Sequence, residues 1–461
     1  MNKRELLKRP VNFLKSALII ALLTGIYMYV WTNFYKSTSD TYFIRGNYVI
    51  VGLYCVLMIA AFRIAGAFQS GRQFFDLLYA QTLALLGVNL ITYLQLSLIY
   101  NWAFLESVKP ILKMTLADLL VIVLWTLLTF GLTKKLYPPE KLLVIYGKMD
   151  PETILRKLAV RPDRFEVAEA VHAEEEIEVL EAKILKHKNV LLADIKSETR
   201  NRLLKFCYDN DICCYSIPKI TDIMVMSAER LHPFDTTLLL FQNGGLSPDQ
   251  QFIKRVFDIF VALVGIVLTL PLMLLIALCI KLYDHGPVFY TQERLTRGGK
   301  IFKVYKFRSM RVAPKDEKVT MTKKGDERIT PIGKLIRNTH TDELPQLFNV
   351  LKGDMSIVGP RPERPEIAEQ YCKKIPEFSY RLKVKGGLTG YAQVYGSYNT
   401  VPYDKLKLDL TYIENYSFLL DIKLIIMTFR ALVQNENVVG IDKHQTTAAN
   451  EESETEKELK L

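Results

Sequence analysis

Residues Val256–Leu282 read VFDIFVALVGIVLTLPLMLLIALCIKL, an apolar run that decides how this chain is organised. The run is long enough to cross a bilayer as an α-helix, which takes about 20 apolar residues. Pro271 stands at its middle, where a proline removes a helical hydrogen bond and kinks or breaks the helix. The pattern therefore predicts a membrane helix that is interrupted at Pro271.

The charges on the two flanks of this run predict the side of the membrane that each flank occupies. Lys254 and Arg255 precede the run, and the region 281–440 that follows it is rich in Lys and Arg. Basic flanks remain on the cytoplasmic side, whereas a straight span would carry the second flank to the outside. We therefore expect a re-entrant helix, which enters the membrane, breaks at Pro271 and returns to the cytoplasmic side.

Four further apolar stretches lie within residues 1–137, and most approach or reach the length of a spanning helix. They are Phe13–Trp31, Tyr48–Phe62, Leu77–Tyr100 and Ile111–Leu132. Basic residues concentrate before the first stretch, between the second and third, and after the fourth: Lys3, Arg4, Lys8, Arg9, Lys15, Arg63, Arg72, Lys134, Lys135 and Lys141. This bias predicts four transmembrane helices with the N-terminus inside, and it disfavours the alternative of a buried all-α core.

Residues 138–243 alternate strand and helix patterns, which predicts a small Rossmann-like α/β domain with a parallel sheet. The strand-like segments are Leu142–Tyr146, Phe165–Val171, Val190–Ile195 and Ile212–Ile217, with helical stretches such as Pro151–Val160 and Ser197–Asn210 between them. The turn after the first strand, Tyr146–Asp150, contains a single glycine. It lacks the GxGxxG that lets a pyrophosphate approach the backbone, so we expect a regulatory or assembly role for this domain.

The composition limits the partners and the compartment of the soluble parts. A net charge of +11 favours anionic partners such as phosphates and anionic lipids. The six cysteines form no CxxC pair, so we expect reduced thiols and cytoplasmic soluble parts. A linker at Asn243–Gly245 begins the region 244–440, and the acidic tail 441–461 is expected to be disordered.

The densest run of residues suited to catalysis extends from Asp326 to Glu363. Asp342 and Glu343 are adjacent there, and we expect them to begin a helix that Thr341 or Thr339 caps. The helix dipole would keep both carboxylates ionised, as a nucleophile or a Mg²⁺ ligand requires. Simple helix capping is the alternative explanation of such a pair.

Two arginines flank the acidic pair in the sequence. Arg337 precedes it, and Arg361 follows between Pro360 and Pro362, which stiffen the backbone of that arginine. A guanidinium group matches phosphate oxygens with paired hydrogen bonds. Adjacent carboxylates with nearby arginines fit phosphoryl transfer, in which positioning and charge neutralisation supply most of the rate.

Residues 252–430 carry a set of motifs that resembles the bacterial sugar transferases, the monotopic phosphoglycosyl transferases. The motifs are KRVFD at 254–258, the apolar run with its proline, FKVYKFRSM at 302–310, DELPQL at 342–347, KGDMS at 352–356, VGPRPE at 358–363 and GLTGYAQV at 387–394. With its four spans, α/β domain and α+β catalytic domain, the chain looks like the long form of this family, which is typical of capsule and exopolysaccharide initiation. The resemblance implies transfer of a sugar-1-phosphate from a UDP-sugar to undecaprenyl phosphate, at the cytoplasmic face of the bacterial inner membrane.

The resemblance also implies roles for individual residues. Asp342 would attack the β-phosphate, release UMP and hold a phosphosugar that polyprenyl phosphate then accepts, with Mg²⁺ bridging Asp342 and the diphosphate. Glu343 would assist at the metal or in proton handling. The remaining residues would contact phosphate: Arg337 and Arg361 hold the substrate, Lys254, Arg255 and Asp258 help to place the lipid phosphate, and Lys306 and Arg308 are weaker candidates.

This chain departs from the family pattern at two positions. Thr296 stands shortly after Gln292–Arg294, where the family often has glycine. Tyr395–Ser397 replaces the Asn-Gly-Arg that often follows the GLTGYAQV motif. The arginine of that second motif is missing here, so no role in reading the nucleotide carries over from it.

Other functions fit the sequence less well. A membrane-bound nucleotide-sugar dehydratase or epimerase needs a GxGxxG turn and a YxxxK pair; Tyr403 and Lys407 have that spacing but lie far from any such turn. A non-catalytic nucleotide-sensing scaffold does not need the acidic pair and the GPRP motif together, and no nucleic-acid module is recognisable. By resemblance we expect glucose- or galactose-1-phosphate as the transferred group, and the N-terminal regions could serve a homodimer.

Overall fold

The computed structural model describes residues 3–35, 44–68, 74–99, 108–147, 149–232, 234–241, 245–311, 328–396 and 400–433. The chain divides into two compact units, Met1–Lys219 and Ile220–Leu461. The predicted acidic tail 441–461 and most of the predicted linker lie outside the described residues.

The first unit begins with long apolar helices at the positions expected from the sequence. They are α1 (Lys3–Val30, continued by a π-helix over Trp31–Tyr35), α2 (Ile44–Ile64), α3 (Phe74–Ile99) and α4 (Val108–Leu136). Each contains a segment that is long and apolar enough to cross a membrane. Helices α1 and α3 each pack against α2 and α4, around a core in which Trp31, Tyr54 and Leu85 are fully buried.

A four-stranded parallel sheet follows, as predicted. Its strands are β1 (Glu140–Tyr146), β2 (Phe165–His172), β3 (Asn189–Ala193) and β4 (Cys213–Ser216), in the order β2-β1-β3-β4. The connecting helices are α5 (Pro151–Ala159), α6 (Ile177–Lys186) and α7 (Ser197–Asp209). Leu143 and Ile145 pack on the side of α6 and α7, and Leu142 and Val144 pack on the side of α5. Since both faces are covered, residues Leu142–Tyr146 of β1 form a continuous apolar run.

The second unit combines helices with short sheets. In chain order it contains α8 (Ile220–Ser227), β5 (Glu229–Leu231), β6 (Leu238–Leu240), α9 (Pro248–Asp284), β7 (Phe289–Leu295), β8 (Ile301–Phe307), α10 (Pro331–Asn338), α11 (Gln346–Lys352), β9 (Ser356–Val358), α12 (Pro365–Lys374), β10 (Gly387–Thr389), α13 (Tyr391–Tyr395), α14 (Pro402–Glu414) and α15 (Phe418–Val433). Strands β5–β6 and β7–β8 form antiparallel hairpins, whereas β9 and β10 pair in parallel.

Helix α9 contains the apolar run, and it continues through Pro271. The predicted break at that residue is therefore wrong for the described structure. The helix begins with a capping box at Ser247, whose backbone N–H donates to Gln250 Oε1 at 3.0 Å. It ends where His285 adopts a left-handed conformation, with φ of 55°.

Helix α8 belongs to the second unit, although the sequence interpretation included it in the α/β domain 138–243. Ile220 and Ile223 are buried in the same core as Leu406 and Leu410 of α14. Ser227 Oγ donates a hydrogen bond to Glu414 Oε2 at 2.9 Å. The apolar spacing along α8 does not reveal which of two neighbouring cores will bury it, so this assignment needed the tertiary structure.

Candidate active site

Asp342 and Glu343 lie in a separate 3₁₀ turn, Thr341–Glu343, between α10 and α11. His340 has a φ of 53°, and this left-handed residue reverses the chain at the end of α10. The predicted threonine cap is wrong, because the Thr339 and Thr341 hydroxyls donate to the carbonyls of Leu335 and Ile336 at 3.0 and 3.3 Å. Helix α11 begins only at Gln346, without a side-chain cap.

The residues next to the acidic pair attach this turn to the apolar helix α9. Leu344 shares a hydrophobic cluster with Met273, Ile276 and Ile280 of α9. Leu347 packs on the other side of Pro271: its Cδ1 atom would lie 3.2 Å from a β-carbon built on Gly265. The acidic turn is therefore held beside the middle of the apolar helix.

Glu343 is bound by two cations. Its Oε1 atom accepts hydrogen bonds from Lys306 Nζ at 2.5 Å and from Arg361 Nη2 at 2.9 Å. Burial alone would raise the pKa of Glu343, but Arg361 and Lys306 outweigh burial and hold the pKa far below its usual value. Glu343 is therefore ionised and paired with both side chains.

Asp342 differs from Glu343 in its hydrogen bonds and in the direction of its pKa shift. It is 9% exposed, and among the residues that the structure describes none donates a hydrogen bond to its carboxylate. Burial raises the pKa of Asp342, with Lys306 and Arg337 acting in the opposite direction. The dipole argument therefore explains neither carboxylate: Arg361 and Lys306 keep Glu343 ionised, and desolvation is the larger effect at Asp342.

Arg361 is held by an unusually well-bonded backbone. Four consecutive carbonyls accept hydrogen bonds: Pro360 from Gly387 N at 2.9 Å, Arg361 from Arg381 Nη2 at 3.0 Å, Pro362 from Arg294 Nη1 at 3.0 Å and Glu363 from Leu295 N at 2.9 Å. The rigidity expected from the flanking prolines is thus reinforced by contacts from distant parts of the chain. The Arg361 side chain remains 40% exposed, so part of it can meet a substrate.

A buried ionic cluster supports this segment, and sequence reasoning missed it. Glu363 pairs with Lys405, with Arg381 at 3.4 Å and with Arg294 at 3.8 Å, and Arg381 also pairs with Asp409 at 2.7 Å. Burial alone would raise the pKa of Glu363, yet Lys405 and Arg381 hold it at about 2. These residues are scattered from 294 to 409 and share no local pattern, so the sequence motifs that contain Arg294 and Glu363 did not reveal that the two belong to one cluster.

Two other residues were predicted to contact phosphate. Arg337 is close enough to Asp342 to lower its pKa, whereas Arg308 pairs with a residue outside the acidic turn. Arg337 Nε donates to Ser309 Oγ at 2.8 Å, and no described residue binds its terminal nitrogens. Arg308 forms an ion pair with Asp284 at the end of α9, with one hydrogen bond of 2.8 Å. Lys306, expected to be a weaker candidate, turns out to be a direct partner of Glu343.

Lys254, Arg255 and Asp258 lie elsewhere in the unit and make structural contacts. Lys254 is buried and pairs with Asp421 at 2.6 Å, and Asp258 accepts from Ser356 Oγ and Ile357 N at 3.0 Å each. Arg255 donates to the carbonyls of Val350 and Leu351 at 2.6 and 2.7 Å, at the opposite end of α11 from the acidic pair. Their predicted contact with a lipid phosphate stays a prediction.

The residues around Asp342 are compatible with a bound Mg²⁺ only if substrate supplies most ligands. Among the described residues there is no group of three or more His, Cys, Asp or Glu side chains that could hold a metal. Mg²⁺ commonly uses one or two carboxylates together with substrate phosphates and water. Asp342 can provide one such carboxylate, since no described Lys or Arg side chain forms an ion pair with it.

Comparison with known proteins identifies the relatives of this unit. The model of the bacterial sugar transferase family matches residues 249–435. A UDP-N-acetylgalactosamine-undecaprenyl-phosphate N-acetylgalactosaminephosphotransferase of Aeromonas hydrophila is 37% identical over 254 residues, which cover 53% of this chain and 59% of that protein. A UDP-glucose:undecaprenyl-phosphate glucose-1-phosphate transferase of Caulobacter vibrioides is 38% identical over 217 residues, covering 45% of this chain and 81% of that protein. An undecaprenyl-phosphate galactose phosphotransferase of Salmonella typhimurium is 37% identical over 218 residues, covering 44% and 45% respectively.

These matches differ in how much of each relative they cover. They span less than two thirds of the Aeromonas and Salmonella proteins but most of the Caulobacter protein. The YxxxK pair that suggested a dehydratase lies on α14, where Lys407 pairs with Asp404 at 2.6 Å. On the extent of the Caulobacter match and on its family motifs, the chain belongs to the bacterial sugar transferase family.

Proposed function

We propose that this protein transfers a sugar-1-phosphate from a UDP-sugar to undecaprenyl phosphate and releases UMP. The relatives from Aeromonas, Caulobacter and Salmonella are named as transferases to undecaprenyl phosphate, with three different sugars. Similarity therefore supports the reaction class and the acceptor more strongly than the donor. For the donor we propose UDP-glucose or UDP-galactose, with UDP-N-acetylgalactosamine as the second candidate because that sugar is named in the Aeromonas relative.

One observation carries the proposal: two adjacent carboxylates have opposite environments. Glu343 is bound by Lys306 and Arg361, whereas no described residue donates to the Asp342 carboxylate. A nucleophile needs a free oxygen, and a group that orients phosphate-binding cations needs to be bound to them. This division supports Asp342 as the nucleophile and Glu343 as the residue that positions Lys306 and Arg361.

In the first step, a carboxylate oxygen of Asp342 would attack the β-phosphorus of the UDP-sugar. The bond from that phosphorus to the bridging oxygen breaks, UMP leaves with the bonding electron pair, and an aspartyl phosphosugar forms. Arg337 and the exposed part of Arg361 would supply positive charge for the phosphate oxygens.

In the second step, an oxygen of polyprenyl phosphate would attack the same phosphorus. The bond to Asp342 then breaks, which frees the carboxylate and leaves a polyprenyl diphosphate sugar. Because its pKa is held so low, Glu343 is ionised at neutral pH and has no proton to donate. Its role in both steps is therefore proposed to be positioning.

When bound, Mg²⁺ would neutralise negative charge on the diphosphate and so assist departure of UMP. Asp342 is the described residue best suited to hold it, because Glu343 is already committed to Lys306 and Arg361.

The contacts of α9 support a helix that does not cross the whole membrane. At its start Lys254 pairs with Asp421, and at its end Asp284 pairs with Arg308. A straight helix of 37 residues would be about 55 Å long, and a full span would separate these ends across the bilayer. Because one unit contacts both ends, we propose that both lie on the cytoplasmic side of the bacterial inner membrane. The opposite face, with Val267 70% and Leu268 74% exposed, would contact lipid.

A homodimer and a regulatory role of the parallel sheet remain proposals. The β5–β6 hairpin of the second unit leaves Phe234 60% and Leu239 43% exposed. Such an apolar hairpin is a candidate surface for self-association.

The proposal is tested by incubating the purified protein with undecaprenyl phosphate and, in turn, UDP-glucose, UDP-galactose and UDP-N-acetylgalactosamine. The expected result is UMP release with one of these donors, in equal amount to a lipid that carries one phosphosugar. Release of UDP would contradict the proposal, because it would mean attack on the sugar and not on phosphorus. EDTA should abolish the reaction, and activity that persists in EDTA would overturn the Mg²⁺ assignment alone.

A further inference from the structure

A cavity of about 300 Å³ lies in the first unit, at one end of the apolar helices. Its walls include Ile19 of α1, Phe68 shortly after α2, Leu77 near the start of α3, and Trp125 and Phe130 of α4. Trp125 and Lys134 of α4 both line it. Lys134 lies nine positions after Trp125, so the cavity extends about 13 Å along the axis of α4. The volume is at the lower end of the range for ligand pockets.

Three cationic side chains also line the cavity. Lys15, Lys134 and Arg164 all contribute to it, and no described carboxylate pairs with any of them. Lys15 Nζ donates to Thr133 Oγ1 at 2.6 Å, which directs its ammonium group across the cavity from α1 to α4.

Two carboxylates also line the cavity, but each has its own partner. Glu140 Oε2 accepts from the Tyr215 hydroxyl at 2.8 Å. Asp163 accepts two hydrogen bonds from Arg161, at 3.0 and 2.9 Å. The hydrogen bond from Tyr215 leaves the charge of Glu140 in place, but the three cations outnumber the two carboxylates that line the cavity, and the lining therefore favours an anion.

We propose that this cavity binds the phosphate-bearing end of an anionic membrane lipid, with Lys15 as the main phosphate contact. A lining that combines apolar residues with cations matches a lipid, whose chain is apolar and whose headgroup is charged. A free phosphate would leave the apolar walls without a partner. Glu140 begins β1 and Arg164 precedes β2, so the bound lipid would also contact the base of the parallel sheet.

The test uses the full-length protein in a neutral detergent and counts bound lipids by native mass spectrometry. Phosphatidylglycerol, undecaprenyl phosphate, phosphatidylcholine and inorganic phosphate are titrated separately. We expect at least one anionic lipid to bind about 5- to 10-fold more tightly than phosphatidylcholine. The stronger of the two anionic lipids identifies the source of the phosphate.

Variants tie the binding to this cavity. Lys15→Gln should weaken anionic lipid binding about 5- to 10-fold, and Lys15→Arg should retain it. The control Lys113→Gln removes an equal charge near the start of α4, the helix that carries Lys134 at its other end, and should have no effect. If Lys15→Gln does not fold, Lys134→Gln provides the same test at an exposed position. Equal binding of phosphatidylcholine, tighter binding of inorganic phosphate than of lipid, or unchanged binding in Lys15→Gln and Lys134→Gln would each overturn the proposal.

Discussion

Arg361 Nη2 donates a hydrogen bond to Glu343 Oε1 at 2.9 Å, and this bond joins the DELPQL motif to the VGPRPE motif. The same oxygen accepts Lys306 Nζ at 2.5 Å. Glu343 thereby fixes two cations beside Asp342, whose own carboxylate has no donor among the described residues. The two acids should consequently respond differently to substitution.

Asp342→Asn should abolish UMP release, because an amide cannot act as the nucleophile. Loss of a nucleophile costs about 10³-fold or more in kcat, whereas Glu343→Gln should cost about 10- to 100-fold through misplaced cations. Single-turnover UMP release from purified protein distinguishes the two, and circular dichroism provides the control for folding. Near-normal turnover by folded Asp342→Asn would rule out this nucleophile.

Glu343 and Arg361 should be energetically coupled. In a double-mutant cycle on kcat/KM with Glu343→Gln and Arg361→Lys, we expect a coupling of about 0.5–3 kcal/mol, as for residues in direct contact. Arg364→Lys is the matched control: it lies three positions further on, and no ion pair with Glu343 is seen. Its effect should add to that of Glu343→Gln. If the effects of Glu343→Gln and Arg361→Lys were also additive, the hydrogen bond between the two residues would not contribute to catalysis.

The pH dependence of catalysis should reflect the raised pKa of Asp342. Attack requires the ionised carboxylate, so activity should be lost as pH falls through this pKa, at a higher pH than for an ordinary aspartate near 3.9. Lys306 lowers the pKa of Asp342, so Lys306→Met should move the acidic limb of the kcat/KM profile to higher pH. Lys303→Met, at an exposed position of the same strand, should leave the limb in place. A shift toward lower pH would contradict this electrostatic explanation.

Both ends of α9 should be accessible from the same side of the membrane. Asp249→Cys and Tyr283→Cys should both react with an impermeant maleimide in sealed inside-out vesicles, above the background of the native cysteines. Leu268→Cys, at the lipid-facing middle of the helix, should not react. Labelling of only one end in inside-out vesicles, with the other labelled from the opposite side, would establish a full span.

Helix α8 should be needed for the stability of the second unit. Ile223 is 4% exposed, so Ile223→Ala should lower the free energy of unfolding by about 2–5 kcal/mol. Met226→Ala on the same helix should change it by less than about 0.5 kcal/mol, because Met226 is 75% exposed. A fragment that starts before Ile220 should therefore melt at a higher temperature than one that starts at Ser247. Equal melting temperatures would place α8 outside the core.

The sequence by itself determined the features that depend on local pattern. The apolar stretches identified the long helices, because length and hydropathy suffice to recognise them. The continuous apolar run Leu142–Tyr146 predicted a strand covered on both faces. The acidic pair, the GPRP motif and the family were equally visible, since each lies within a few neighbouring residues.

Only the tertiary structure showed that Asp342 and Glu343 have different surroundings. The two are adjacent and chemically alike, and the difference arises from which cations reach each of them and how deeply each is buried. Lys306 and Arg361 meet at Glu343 from β8 and from the segment after β9, and the cluster that holds Arg361 draws on residues from Arg294 to Asp409. Contacts between distant segments and loss of solvent depend on packing, and no local spacing in the sequence records them.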